Sequence, residues 1–338
     1  KYTFKYSAGQ KKAYTRYDIM TTEEYAGMLF NEMKLRSTDP TVVQSTNTVV
    51  DGDRASYIIE NEIRNGESTD WQSQSLRAGK FTNVQLGATG GSKDVRYYVS
   101  GGYQNDEGMM NKSNYEKFNV RTKVDIDLSN KVKLSINLNP SFAKKLSPSQ
   151  NFTNFWRAPT WLPVYHNAAS AALVNTNPQY AGILPGDFAH PRHFSGLKYS
   201  GTMPDGTSWT SATTANPSGS AQQNPYSDVT RSDISMMEYR LQSSAESSIE
   251  LAKGLIFKTV GSTLMNYANG LSFYERDYNS EGSNNIGVFT NNKYTDLLSE
   301  NTLNYKKSVK KSDIAVLAGF TSQTTKVQNQ RTTGNDFP

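Results

Sequence analysis

Cysteine is absent from all 338 residues, which excludes a disulfide framework and thiolate chemistry. Histidine occurs three times. His190 and His193 stand with Asp187 in a Pro-rich stretch that lacks the i,i+4 spacing of a helical metal site, so a solvated loop is expected there. No Gly-x-Ser-x-Gly run exists to anchor an acyl-transfer triad. Long apolar runs are missing too, since nothing approaches the roughly 18 residues of a membrane-spanning helix. The opening KYTFKYSAGQ reads as a strand rather than a secretory leader. Such an opening fits a soluble cytoplasmic chain or one whose start is missing, and the connections described below favour the second. Charge of a single sign is also lacking: 36 basic and 31 acidic residues are interspersed, so a net charge of +5 leaves no nucleic-acid footprint. Apolar residues make up 36%, below the usual share of about 45–50%. That share suits either a sheet with one watery face or a loop-rich secreted protein.

What the chain has in quantity is alternation. Phe118, Val120, Thr122, Val124, Ile126 and Leu128 fall on one face of a strand, with Asn119, Arg121, Lys123, Asp125 and Asp127 on the other. Val132–Phe142 repeats the pattern, and Met236–Leu251 sets Tyr239, Leu241, Ala245, Ile249 and Leu251 against Arg240, Gln242, Ser244, Glu246 and Glu250. Soluble strands run about 5–6 residues, whereas these approach the ~10-residue alternating segments of a membrane barrel. Tyr103, Phe118, Phe142 and Tyr239 fall where an aromatic girdle is expected.

Strands are expected at Tyr2–Ala8, near 80–90 and 93–105, at 118–128, 132–144, 236–251 and 255–267, near 292–307, and at 313–327. Between them, short turns (Gly91-Ser92, Ser129-Asn130, Ala252–Gly254, 308–312) alternate with long connections (9–79, 105–114, 145–232, 271–290). Bacterial outer-membrane barrels alternate in this way, with short periplasmic turns and long extracellular loops. The 88 residues of 145–232 suit the outer face of a large barrel better than a compact soluble domain. Within 9–79, Thr21 and Glu24 form a capping box for a helix over 22–36, and a second short helix is expected from Ala55 to Asn65, closed by Gly66. The expected fold is all-β: a transmembrane antiparallel β-barrel with long extracellular loops and short loop helices. Nine strands are odd in number and leave two open edges, so residues 1–338 are expected to be the N-terminal portion of a larger barrel, starting on the periplasmic side.

TTEEYAGMLFNE, STDWQSQSLRAGKFTNVQLGATGGSKDVRYYVSGGYQNDEGMM and YEKFNVRTKVDIDLSNKVKLSINL together resemble the SusC/RagA family of TonB-linked outer-membrane transporters. The resemblance rests on Thr69-Asp70-Trp71-Gln72, Gly90-Gly91-Ser92 before Arg96-Tyr97-Tyr98, Gly102-Tyr103, Glu107-Gly108 and Arg121. It is weaker at Arg157–Tyr165 and Asn224-Pro225. It implies a 22-stranded barrel in outer-membrane lipid, filled by an N-terminal plug and capped by a SusD-like surface lipoprotein. It implies import of oligosaccharides or peptides driven by the TonB complex. No cofactor and no catalytic residue is expected. The same barrel as a non-transporting structural subunit, and a secreted all-β carbohydrate-binding module, are the other readings.

Trp156, Trp161, Tyr165, Trp209 and Tyr226, flanked by Asn, Gln and Ser, have the chemistry to stack on a sugar or peptide. Packing of the loop, or docking of the lipoprotein, accounts for them equally well. Arg121, Lys123, Arg240 and Glu246 are expected to face the lumen, where water solvates Glu246 and Glu250. Asp51-Gly52-Asp53 resembles the start of a calcium loop, but Glu62 at the twelfth position falls on an expected helix. Gly87–Gly91 sits at a hairpin turn, not before a helix, so it is no phosphate loop.

Overall fold

Strands form wherever the sequence alternates. The computed structural model describes the chain except residues 26, 29, 32–46, 65–66, 150–151, 204–205, 218–222, 279–283, 311 and 337–338. Its main sheet holds nine strands: β1 (Tyr2–Lys11), β2 (Gly79–Gly91), β3 (Val95–Glu107), β4 (Asn114–Asp127), β5 (Val132–Ser147), β8 (Ser232–Ala252), β9 (Leu255–Tyr274), β10 (Ile286–Val309) and β11 (Ser312–Asn335). They stand side by side in that order, every neighbouring pair antiparallel. Two three-residue strands, β6 (Ser200–Thr202) and β7 (Ser208–Thr210), make a separate hairpin inside the β5–β8 connection. β1 and β11 are the sheet's edges, and β11 is exposed on both faces along nearly its whole length. A long edge of this kind is a template for a further strand.

Connections 12–78, 108–113, 148–231 and 275–285 leave one end of the sheet, and 92–94, 128–131, 253–254 and 310–311 leave the other. At 253–254, Gly254 takes φ +77, and its missing Cβ leaves room for the Lys306 carbonyl. The β2–β3 turn has three residues, not the two of Gly91-Ser92. Ser92 Oγ accepts from the Asp94 and Val95 N–H groups at 3.3 Å each, and Gly87–Gly91 lies inside β2, not at the turn. Several strands outlast their apolar alternation. β9 continues from Tyr267 to Tyr274, pairing through Ala268–Tyr274 with β8 and β10, so the loop expected at 271–290 narrows to 275–285. Side-chain pattern marks only the band that must be apolar; the backbone ladder keeps its hydrogen bonds beyond that band.

The registers draw one line across the apolar face. Tyr103 pairs with Phe118, Phe118 with Phe142, Phe142 with Tyr239, and Tyr239 with Tyr267. Ring centroids are 4.6 Å apart in the first pair and 5.0 Å apart in the third. Below this row Val124 pairs with Tyr97 and Ile136, deep in the apolar band. An arginine there would face hydrocarbon, so Val124→Arg is expected to cost about 2–4 kcal/mol. The neighbouring Lys123→Gln, on the polar face, is expected to cost little. Heat-modifiable electrophoretic mobility of the full-length protein refolded into vesicles measures the difference. Equal folded fractions for the two variants would contradict this assignment of faces.

The buried apolar core is not in the sheet. Apart from Ala143, every well-buried apolar side chain among the described residues belongs to connections 12–78 and 148–231, with Ile59, Trp71, Phe155, Trp161, Phe194 and Val229 each 2% exposed or less. The two connections therefore fold together as one cap. Among the described residues it contains the helices α1 (Asn47–Ile58), α2 (Trp71–Ser75), α3 (Phe152–Arg157), α4 (Ala168–Val174) and α5 (Pro225–Thr230), besides helical residues between 22 and 31. Thr21 and Glu24 form the expected reciprocal box, at 2.8 Å and 3.2 Å, for helical residues 22–25, 27–28 and 30–31; 32–36 lie outside the described residues. Helix α1 starts earlier than the expected Ala55 and runs on as a π-helical turn, Ile59–Arg64. Gly66 lies outside the described residues. Asp51-Gly52-Asp53 is helical backbone, which a calcium loop is not, and the side chains of Asp51, Asp53 and Glu62 lie outside the described residues.

Candidate functional site

Three short motifs that are far apart in sequence meet in the cap. Asp70 caps α2 by accepting from Ser73 N–H at 3.0 Å, which fixes the turn that buries Trp71. Trp71 Nε1 then donates to the Pro159 carbonyl at 3.0 Å, and Thr69 Oγ1 to the Leu162 carbonyl at 2.6 Å. Gln72 grips the Tyr17 backbone twice, through its amide nitrogen at 2.7 Å and its amide oxygen at 2.9 Å. On the other side, the fully buried Asn224 donates from Nδ2 to the carbonyls of Val164 and Ala189, both at 2.9 Å. Its Oδ1 accepts from the Tyr226 and Ser227 N–H groups at 3.0 Å and 3.2 Å. Residues 69–72, 157–165 and 224–225 are thus one hydrogen-bonded unit.

The histidines correct an expectation. Far from lying in a solvated loop, His166, His190 and His193 are 3%, 2% and 6% exposed and packed together. His166 Nε2 is 3.0 Å from His193 Nδ1, and His190 Nδ1 accepts from Asn224 N–H at 3.0 Å. Burial, with His193 nearby, lowers the His166 pKa to about 3 and holds His190 well below its ordinary value. Asp187 does not join them; its carboxylate accepts from Leu184 N–H at 2.8 Å. Among the described residues no group of three or more His, Cys, Asp or Glu is disposed to hold a metal.

The five loop aromatics do not form one platform. Trp161 is a core side chain, 1% exposed and edge-on to Phe194 at 5.3 Å. Trp156 is half-buried between Tyr17 at 4.2 Å and Phe152 at 4.9 Å. Trp209 lies against the core under the Arg54 guanidinium, 5.6 Å from its ring. Tyr165 is 47% exposed and 4.9 Å from Phe188, which is also 6.5 Å from Tyr226 and 5.5 Å from the Arg231 guanidinium. Tyr165, Phe188 and Tyr226 therefore make one aromatic surface, and its third member is a residue that sequence reasoning passed over. Arg121, Lys123, Arg240 and Glu246 share the polar face of the sheet, and Glu246 is paired with Lys258 at 2.8 Å.

Over 293 residues the chain is 27% identical to TonB-dependent receptor P3 of Formosa agariphila, a match covering 85% of this chain and 26% of that protein. It is 30% identical over 116 residues to TonB-dependent receptor P26 of the same organism, covering 34% of this chain and 12% of that one. It is also 35% identical over 75 residues to TonB-dependent receptor SusC of Bacteroides thetaiotaomicron, covering 22% and 6%. The RagAB peptide importer in its closed-closed state matches 99% of this chain and 36% of that one, with a TM-score of 0.63 at 16% identity. Its open-open state gives 0.60. No family model matches. The chain is a SusC/RagA-like segment of an outer-membrane barrel.

In this SusC/RagA-like segment the chain spans about a quarter of the length of the first of those relatives. The relatives are named as receptors and importers, not enzymes. The motifs that carried the family resemblance at 69–72, 157–165 and 224–225 are those that hold the cap together. Sequence reasoning did not assign Asn224 a role, because its partners at Val164, Ala189 and His190 are 60, 35 and 34 residues away.

Proposed function

We propose that the full-length protein bearing this chain imports oligosaccharides or peptides across the outer membrane, energised through TonB and lidded by a SusD-like surface lipoprotein. The observation that carries this reading is the 27% identity sustained over 85% of the chain to a TonB-dependent receptor. The folded cap at the long-connection end of the sheet supports it as the extracellular mouth. In this reading the polar face with Arg121, Lys123, Arg240 and Glu246 lines the lumen, and the apolar face meets lipid. Tyr165 and Tyr226 around Phe188, and separately the partly covered Trp156 and Trp209, offer stacking surface to substrate or lipoprotein, while Trp161 packs the cap. The test is depletion of labelled oligosaccharide and peptide pools by cells with and without the protein, before and after the proton gradient is collapsed. Energy-dependent depletion of either pool is expected. No difference between the two strains would overturn import and leave a structural barrel.

A further inference from the structure

The charges on the polar face are not evenly matched. On β1–β5 that face carries three carboxylates, and each is already engaged: Asp106 with Lys11, Asp125 with Lys123 at 3.4 Å and Asp127 with Arg96 at 3.4 Å. The side chains of Lys117, Arg121 and Lys145 on the same face, and of Arg240 on β8, have no hydrogen bond or ion pair among the described residues. The registers bring these four together. Asn119 pairs with Ser141, and Ser141 pairs with Arg240, so Arg240 stands level with Asn119, midway between Lys117 and Arg121. Sheet spacings put its Cα about 12 Å from each of them, a gap that two long basic side chains can close around a ligand. Lys145 pairs with Tyr115, two residues from Lys117, on the side nearest the cap. Glu238, the next polar-face residue of β8, is the one carboxylate among them, which leaves an excess of three positive charges.

Between the cations the wall is built of short polar groups. Asn119 and Ser141 sit there, and Gly102 opposite Asn119 has no side chain: a Cβ on it would meet Asn119 Oδ1 at 2.7 Å. Cations within about one Debye length of each other repel, and a shared anion relieves that repulsion. Guanidinium groups fit carboxylate in a two-pronged geometry that neutral hydroxyls cannot match.

We propose that the Lys117–Arg121–Lys145–Arg240 cluster is a binding patch for carboxylate groups on the imported oligomer, so that the substrate is acidic. The proposal rests on the import reading and names the substrate chemistry within it. Its test is calorimetric titration of the purified full-length protein with four probes of equal length: an oligogalacturonate, a neutral oligoglucoside, a Glu-rich peptide and its Gln-rich counterpart. At least one carboxylated probe is expected to bind about tenfold or more tighter than its neutral partner, with affinity falling as salt rises; which one binds identifies sugar or peptide. Arg121→Gln combined with Arg240→Gln is expected to abolish the preference. The proposal falls if neither carboxylated probe outbinds its neutral partner, or if the double variant keeps the preference. It falls equally if the double variant lowers the unfolding temperature while probe binding stays unchanged, which would assign the cations to an internal contact. Energy-dependent uptake of a neutral oligomer alone would sink this proposal and leave import standing.

Discussion

Asn224→Ala is expected to open the cap and leave the sheet intact. The side chain is fully buried, and all four of its hydrogen bonds go to backbone groups: two carbonyls in one direction and the first amides of α5 in the other. Losing an N-cap costs about 1 kcal/mol, and each buried backbone group left without a partner costs about 1–3 kcal/mol. A total of about 3–5 kcal/mol is expected after partial relaxation. Asn224→Asp separates the contributions, because it keeps the acceptor that caps α5 and loses both donors to Val164 and Ala189. It is expected to lose most of the same stability. Hydrogen exchange of the full-length protein measures both variants. Amides over 152–230 should exchange roughly a hundredfold faster or more, while the β4–β5 and β5–β8 ladders keep their protection. Unchanged protection in the cap, or equal loss in the sheet, would show that the network does not hold the cap.

The strands were legible because a membrane sheet writes its two faces into the sequence. Each apolar position of β4 and β8 must meet hydrocarbon and each neighbour must meet water, so a single chain shows which residues share a face. The registers agree: the aromatic residues expected to form a girdle pair in one row, and Arg121, Lys123, Arg240 and Glu246 fall together on the other face. Strand ends were less legible. Over Ala268–Tyr274 the alternation is interrupted by Asn269 and Gly270 on neighbouring faces, yet the backbone stays in the ladder.

The cap could not be derived in the same way. Beyond the two helices expected over 22–36 and from Ala55, its helices are five to seven residues long, too short to show a helical period, and its core is assembled from two connections that the sheet separates in sequence. Aromatic and Asn-rich composition therefore read as an irregular loop with reachable rings, whereas Trp161 is enclosed and Trp156 and Trp209 are partly covered. The histidines were misjudged for the same reason. Spacing between His190 and His193 says nothing about His166, which arrives from another turn of the chain. Resemblance to a family located the motifs at 69–72, 157–165 and 224–225, but only their hydrogen bonds explain why those residue types stand there.

Acid is expected to loosen the same cap. His166 and His190 are buried in their neutral forms, with pKa values lowered first by burial and then by the nearby His193, His166 to about 3. In an opened cap both would return to about 6.5. The open state therefore binds protons that the closed state refuses, so their stabilisation is complete above about pH 6.5 and is lost progressively as pH falls toward 3. At about pH 5, His166 alone shifts the balance by about 2 kcal/mol, a factor of roughly thirty in the open population. His190 acts in the same direction. Between about pH 6.5 and 5 ordinary carboxylates near pH 4 have hardly begun to titrate. The buried Glu60 of the same cap, its pKa raised by burial, acts in the opposite direction, and the His166→Gln comparison separates the two. Limited proteolysis of the full-length protein across that window, with cleavage mapped to 152–231, reads the open population directly when closing is faster than cutting. Cleavage there should rise on acidification, and His166→Gln should flatten the slope even where it raises the baseline, since glutamine takes up no proton. A slope unchanged by His166→Gln would mean that this histidine does not couple cap opening to pH.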